Sequence, residues 1–243
     1  MDEFLFDKDI FLLTDYPVAY SSLDYQNPND SGSTADFTDG TDFALDLIKY
    51  FPNKKTLLDL GTATGMVPLT MREIGLLAVG LEGSDEPLKR KLGAWEVMPD
   101  IVRTCDISKP FRIVDREGNR IIFDFIVSWG TLEHIDFRNF AQTLENIYNI
   151  TGKNSIICLN IDLGYNPADE FHLLWKDWQG EDEASEKLKI LKFMLTNFFI
   201  IDEGLQKLTD WHYCRPTKEE IKVNLKLGIN KFSGRSFWWL RKK

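Results

Sequence analysis

The run Leu57-Leu58-Asp59-Leu60-Gly61-Thr62-Ala63-Thr64-Gly65 constrains the fold more than any other part of the chain. Its first residues read as a strand buried on both faces, and the rest as a small-residue turn that opens a helix. Gly61 reaches backbone angles closed to other residues, while Ala63 and Gly65 keep the turn thin. The amides that open the following helix then point at whatever binds there. Seventeen positions after Gly65, a second apolar run, Leu77-Ala78-Val79-Gly80-Leu81, ends in Glu82. A carboxylate at the carboxyl end of a strand accepts both hydroxyl hydrogens of a ribose. Together the two features predict a nucleoside-binding crossover.

The rest of the chain fits an α/β reading. Thr56–Leu60, Leu76–Leu81, Ile101–Cys105, Phe123–Trp129 and Ser155–Ile161 read as strands, with helical periods after the first, second and fourth. This βαβ series predicts a mostly parallel sheet with helices on both faces. Thr41 is placed to cap a helix running to Tyr50, and alternation around Glu117-Gly118-Asn119 marks a small hairpin insertion near 111–122. Beyond a substrate-side insertion near 164–183 come a helix from about Glu183 to Leu195, a strand near Phe198–Asp202, a helix opened by Thr217 with Glu220, and a last strand, Ser236–Leu240. Residues 1–40 hold the turn-rich Asn27–Thr34 and read as an N-terminal lid or substrate segment, with 41–243 as a single domain.

Charge and cysteine usage narrow the functions. The net charge of −9 speaks against a nucleic-acid binder. Eleven acidic residues face only Lys8 between Met1 and Leu47, whereas basic residues dominate from Gln206 onward. Three scattered cysteines, Cys105, Cys158 and Cys214, form neither a disulfide framework nor a zinc knuckle. No apolar run is long enough for a membrane span, and the start lacks signal-peptide character, so a cytoplasmic protein is expected. Hydrolase and zinc-protease motifs are absent, because neither G-x-S-x-G nor HExxH occurs.

The spacing of the small residues separates two cofactor classes. A dinucleotide loop, G-x-G-x-x-G, counted from Gly61 would need glycine where Ala63 and Met66 stand. The pattern acid-x-Gly-x-small-x-Gly is met by Asp59, Gly61, Ala63 and Gly65, and here the sequence resembles the class I S-adenosylmethionine-dependent methyltransferases. The tract Phe123-Asp124-Phe125-Ile126-Val127-Ser128-Trp129-Gly130-Thr131-Leu132-Glu133-His134-Ile135 strengthens the resemblance, as does Thr104-Cys105-Asp106-Ile107. It implies a Rossmann-like fold: a mostly parallel seven-stranded sheet with an antiparallel last strand. It also implies a cofactor site. Asp59 organises the ammonium end, Gly61, Thr62, Ala63 and Gly65 line the methionine portion, and Glu82 with Gly83 and Ser84 holds the ribose. Asp106 meets the adenine amino group, Ile107 packs on the ring, and Ser128 and Trp129 flank the reactive methyl. Ala63 replaces the usual middle glycine.

The expected reaction is methyl transfer to a small-molecule or glycan acceptor, chiefly at oxygen. A hydroxyl nucleophile benefits from a base, for which His134 and His172 are the candidates; His212 reads as structural. Trp175 and Trp178 offer either a stacking surface for an acceptor or packing on the sheet. No metal is expected, although Asp136 and Asp162 are the carboxylates that a divalent ion would use. Nucleic-acid methylation is disfavoured, because Ser128-Trp129-Gly130-Thr131 stands where an Asn/Asp-Pro-Pro tract would be. Two other readings share the fold: a non-catalytic partner-binding module and an NAD-dependent oxidoreductase. Oligomeric state is open.

Overall fold

The structure is a computed structural model that describes residues 2–6, 9–20, 41–163, 173–176, 184–206 and 235–243. The stretch 21–40, His172, Trp178, His212 and the helix expected at Thr217 lie outside the described residues. In chain order the first elements are β1 (Asp2–Phe6), β2 (Ile10–Thr14), α1 (Thr41–Tyr50), β3 (Thr56–Leu60), α2 (Met66–Glu73), β4 (Leu77–Glu82), α3 (Glu86–Arg90) and α4 (Ala94–Val97). They are followed by β5 (Val102–Thr104), β6 (Phe111–Asp115), β7 (Phe123–Trp129), α5 (Phe137–Asn149), β8 (Thr151–Asp162), α6 (Ala184–Phe198), β9 (Phe199–Ile201), α7 (Glu203–Gln206) and β10 (Arg235–Lys242).

Among the described residues the main sheet has seven strands in the order β5-β4-β3-β7-β8-β10-β9. Pairings from β5 through β8 are parallel, and β10 runs antiparallel to both β8 and β9. The expected Rossmann-like sheet with an antiparallel last strand is therefore present. Helices on both faces explain why Leu57 and Leu58 of β3 and Phe125, Ile126 and Val127 of β7 are consecutively apolar rather than alternating. Leu58, Leu60 and Ile126 join the larger core with α5 and α6, while Leu57, Phe125 and Val127 join a second core with Met71 of α2. Helix α5 shows how sequence sets one crossover: Asp136 caps it by accepting the Arg138 amide at 2.9 Å, and Phe140, Leu144 and Ile147 bury one face.

Chain order moves outward from β3 to β4 and β5, then returns to the other side of β3 with β7 and β8. The reversal between β3 and β7 is a topological switch point, and such sheets open a crevice at the carboxyl ends of the strands flanking it. The glycine turn leaves β3 there, and the turn at Gly130 and Thr131 leaves β7 beside it.

A second, three-stranded antiparallel sheet, β1-β2-β6, departs from the sequence expectation. The hairpin at 115–119 exists: Gly118 has φ +81°, and Asn119 donates its backbone amide to Asp115 Oδ1 at 2.8 Å. Its return arm makes little pairing, however, and β6 forms its long ladder with β2, Ile10 opposite Asp115 through Thr14 opposite Phe111. The buried alternation of Ile10, Leu12 and Thr14 supplies the reason, since it offers an apolar face to Phe111 and Ile113 over the main core. Among the described residues no helix is long and apolar enough to cross a membrane.

Candidate functional site

The glycine turn is shaped by close packing on three sides. Gly61 has φ +78°, and a Cβ added there would fall on the Thr131 side chain, so the turns after β3 and β7 touch because residue 61 has no side chain. The Thr62 side chain folds over Gly80 of β4 and donates its hydroxyl to Asp59 at 2.8 Å. Ala63 occupies the left-handed region at φ +49°, where a non-glycine residue stores about 1–2 kcal/mol. Two bonds hold it: its amide donates to Glu82 Oε2 and its carbonyl accepts the Trp95 indole N–H, each at 2.8 Å. Gly65, at φ +75°, precedes α2, and a Cβ there would lie 2.6 Å from that of Ala94.

Carboxylates mark the ends of three adjoining strands. Asp59 is 6% exposed, and its pKa is pushed up to about 7, chiefly by burial, with the Thr62 hydroxyl opposing and the Glu82 charge reinforcing the shift. Glu82 ends β4 with one backbone amide on each oxygen, Ala63 on Oε2 and Ser84 on Oε1 at 3.0 Å. Burial raises its pKa too, against the pull of those amides and of Gly83. Each Glu82 oxygen keeps lone pairs for a further donor. Asp106, past β5, accepts the amide and hydroxyl of Ser108 on Oδ1 at 2.9 and 2.6 Å. Ile107 is buried within the main core, and its carbonyl accepts Asn146 Nδ2.

Residues 16–20 cross this edge and tie its loops together. The Asp106 amide donates to the Tyr16 carbonyl at 2.9 Å, and Ala19 and Tyr20 both donate their amides to the Gly83 carbonyl at 2.8 and 3.1 Å. The Tyr20 hydroxyl reaches the His134 carbonyl at 2.6 Å. The sequence assigns no role to Tyr20 or Trp95 and none to Thr131 beyond its place in the tract after the fourth strand, because each acts through a partner far along the chain and no local pattern announces it.

At the end of β7, Ser128 is fully buried and its hydroxyl has no hydrogen-bond partner among the described residues. Trp129 is half-buried, and the Leu132–His134 turn carries the half-buried His134. The structure thus brings Asp59, Glu82, Asp106, Ser128 and His134 to one edge of the sheet. Trp175 serves packing instead of stacking: it is 3% exposed, donates its indole N–H to the Asp162 carbonyl at 3.0 Å, and lies under the Lys187 ammonium, 5.4 Å from the ring centre. Both oxygens of Asp136 are taken by Arg138, which holds its pKa down at about 2. Among the described residues no group of three or more histidine, cysteine or acidic side chains is arranged for a metal.

The methyltransferase-domain family Methyltransf_23 matches residues 35–240. No curated protein is detectably similar to the sequence. Among solved structures, a TehB-like S-adenosylmethionine-dependent methyltransferase from Corynebacterium glutamicum is 15% identical, covering 87% of this chain and 92% of its own, with a TM-score of 0.50. The PH0226 protein of Pyrococcus horikoshii is 11% identical over 90% of this chain and 95% of its own, with a TM-score of 0.48. The family match covers well over half of the chain. The chain belongs to the methyltransferase-domain family and is an S-adenosylmethionine-dependent methyltransferase.

Proposed function

We propose that the enzyme methylates a hydroxyl of a small-molecule or glycan acceptor, with the cofactor held by three strand-end carboxylates. The observation that carries the reading is the Glu82 cradle, whose oxygens are fixed by the Ala63 and Ser84 amides while retaining capacity for two hydroxyl donors. Asp59, Glu82 and Asp106 are all hydrogen-bond acceptors. S-adenosylmethionine presents donors to match, an ammonium, a ribose diol and an adenine amino group. The same acids would repel the pyrophosphate of a dinucleotide.

Bound cofactor supplies a methyl group activated by the positive sulfur. The protein contributes alignment and exclusion of water. In this reading Gly61, Thr62, Ala63 and Gly65 let the backbone approach the methionine portion, and Asp59 pairs with its ammonium. Gly83, Ser84 and Ile107 border the nucleoside. Ser128 and Trp129 flank the reacting carbon. His134 would take the acceptor's hydroxyl proton as that oxygen receives the methyl group; His172 is the second candidate for that role. The residues before 41 and near 164–183 supply acceptor contacts. Two buried thiols outside any disulfide, Cys105 and Cys158, suit a reducing compartment, and we assign the work to the cytoplasm.

A screen of neutral sugars, amino sugars, phenols and nucleic acids, read by release of S-adenosylhomocysteine, tests the acceptor class. Turnover confined to hydroxyl compounds and lost in either His134→Ala or His172→Ala supports the reading. Turnover on amines alone, unaffected by either change, overturns the choice of oxygen, and turnover on nucleic acid overturns the acceptor class.

A further inference from the structure

Asn160 sits where packing calls for an apolar side chain. On its face of β8 it follows Ile156 and Cys158, both buried in the second core, and it stands opposite Trp129 of β7 in the parallel register. It is 5% exposed, and its side-chain oxygen is buried with no hydrogen-bond partner among the described residues. Its backbone carbonyl, by contrast, accepts the Gly130 amide at 3.2 Å and so fixes the start of the turn that leads to His134.

A buried amide kept for structure looks different in this molecule. Asn146 is equally enclosed, but its Nδ2 donates to the carbonyls of Ile107 and Lys109 at 3.0 and 2.8 Å, which closes the β5–β6 connection against α5. Ser155 likewise donates its hydroxyl to the Phe123 carbonyl. Leaving a buried acceptor unmatched costs free energy that an apolar residue of similar size would not incur. The position of that cost is informative. Asn160 lies near the carboxyl edge of β8, the neighbour of the switch-point strand β7, on the side of the sheet that carries Trp129, while Ser128, whose hydroxyl is also unmatched among the described residues, lies on β7 with its side chain on the opposite face.

We propose that Asn160 is an acceptor-recognition residue, whose amide oxygen receives an O–H or N–H hydrogen from the molecule to be methylated. This rests on the methyltransferase reading of the same edge and adds a requirement to it: the acceptor carries a hydrogen-bond donor within reach of β8, as polyols and amino alcohols do and simple ethers do not. A molecule lacking that donor leaves the amide unmatched and is discriminated against for that reason.

Asn160→Val tests the assignment, because valine suits a strand and removes the amide at nearly constant size. Thermal unfolding of the free proteins and calorimetric titration with S-adenosylhomocysteine are compared for the variant and the parent. The expected result is a melting temperature higher by roughly 2–4 °C, with S-adenosylhomocysteine affinity within twofold of the parent. A lower melting temperature in both Asn160→Val and Asn160→Ala makes the amide structural and overturns the proposal. A tenfold loss of S-adenosylhomocysteine affinity moves Asn160 to the cofactor and overturns it as well. An ordered water bridging Oδ1 to another protein group, seen crystallographically in the S-adenosylhomocysteine complex, overturns it too. Failure of the parent itself to bind S-adenosylhomocysteine is a different outcome, which removes the underlying reading.

Discussion

The Tyr20 hydroxyl donates to the His134 carbonyl at 2.6 Å and thereby joins the N-terminal segment to the turn that follows β7. The same residue's amide is bonded to Gly83 after β4. One side chain and its backbone thus span the two loops between which the nucleoside and the candidate base are proposed to lie. Tyr20→Phe is expected to lower stability by about 1 kcal/mol, or roughly 2–4 °C in melting temperature. It should also speed S-adenosylhomocysteine dissociation about fivefold, the kinetic equivalent of that energy. Stopped-flow tryptophan fluorescence reads the rate; an unchanged rate would show that the bond serves the fold alone.

Gly61 and Thr131 are coupled by the absence of a side chain at 61. Gly61→Ala incurs a left-handed backbone cost of about 1–2 kcal/mol and a collision with Thr131 of about 1–3 kcal/mol. Gly75→Ala is the control, since Gly75 has φ +85° with nothing within 4 Å of an added Cβ. It should lose only the backbone part. In denaturant unfolding, Thr131→Ala combined with Gly61→Ala should recover part of the loss; strict additivity of the two changes would contradict the packing account.

Asp59 gives the free protein a distinctive pH response. The group's ordinary value is 3.8 and its folded value about 7, so between these limits the folded state holds a proton that the unfolded chain has released. The contribution to stability is fully present below about pH 4 and is lost as pH rises through about 7. Asp59→Asn should flatten that part of the stability curve. A ligand bearing a cation prefers the ionised carboxylate, so S-adenosylmethionine affinity should rise up to about tenfold per pH unit from pH 5.5 toward 7. Equal slopes in Asp59→Asn and the parent would remove Asp59 from the ammonium contact.

The parts of the site legible in sequence are those set by short stretches of chain. A thin turn after a buried strand and acids at strand ends follow from a few neighbouring residues, so Asp59, Gly61 and Glu82 could be read directly. The βαβ series and its mostly parallel sheet followed from apolar runs and helical periods for the same reason. Most strand limits shifted by one or two residues; β8 begins at Thr151 rather than Ser155 because its amino end stays paired beside β7. What escaped notice depends on long-range partners. Ladder pairing between β2 and β6 joins segments about a hundred residues apart, the Tyr20–His134 bond spans 114, and Trp95 secures Ala63 across 32. Trp175 had both readings open, and only its burial under Lys187 decided for packing.

Glu82 is the centre of the account, and titration calorimetry with S-adenosylhomocysteine tests it most directly. The parent should bind S-adenosylhomocysteine and not NAD. Glu82→Ala removes the acceptor of the Ala63 and Ser84 amides as well as that proposed for the ribose hydroxyls. It is expected to weaken binding at least tenfold, or about 1.4 kcal/mol, while circular dichroism shows the fold retained. Binding of equal strength in the variant would contradict the cradle, and a parent that binds NAD instead would contradict the cofactor.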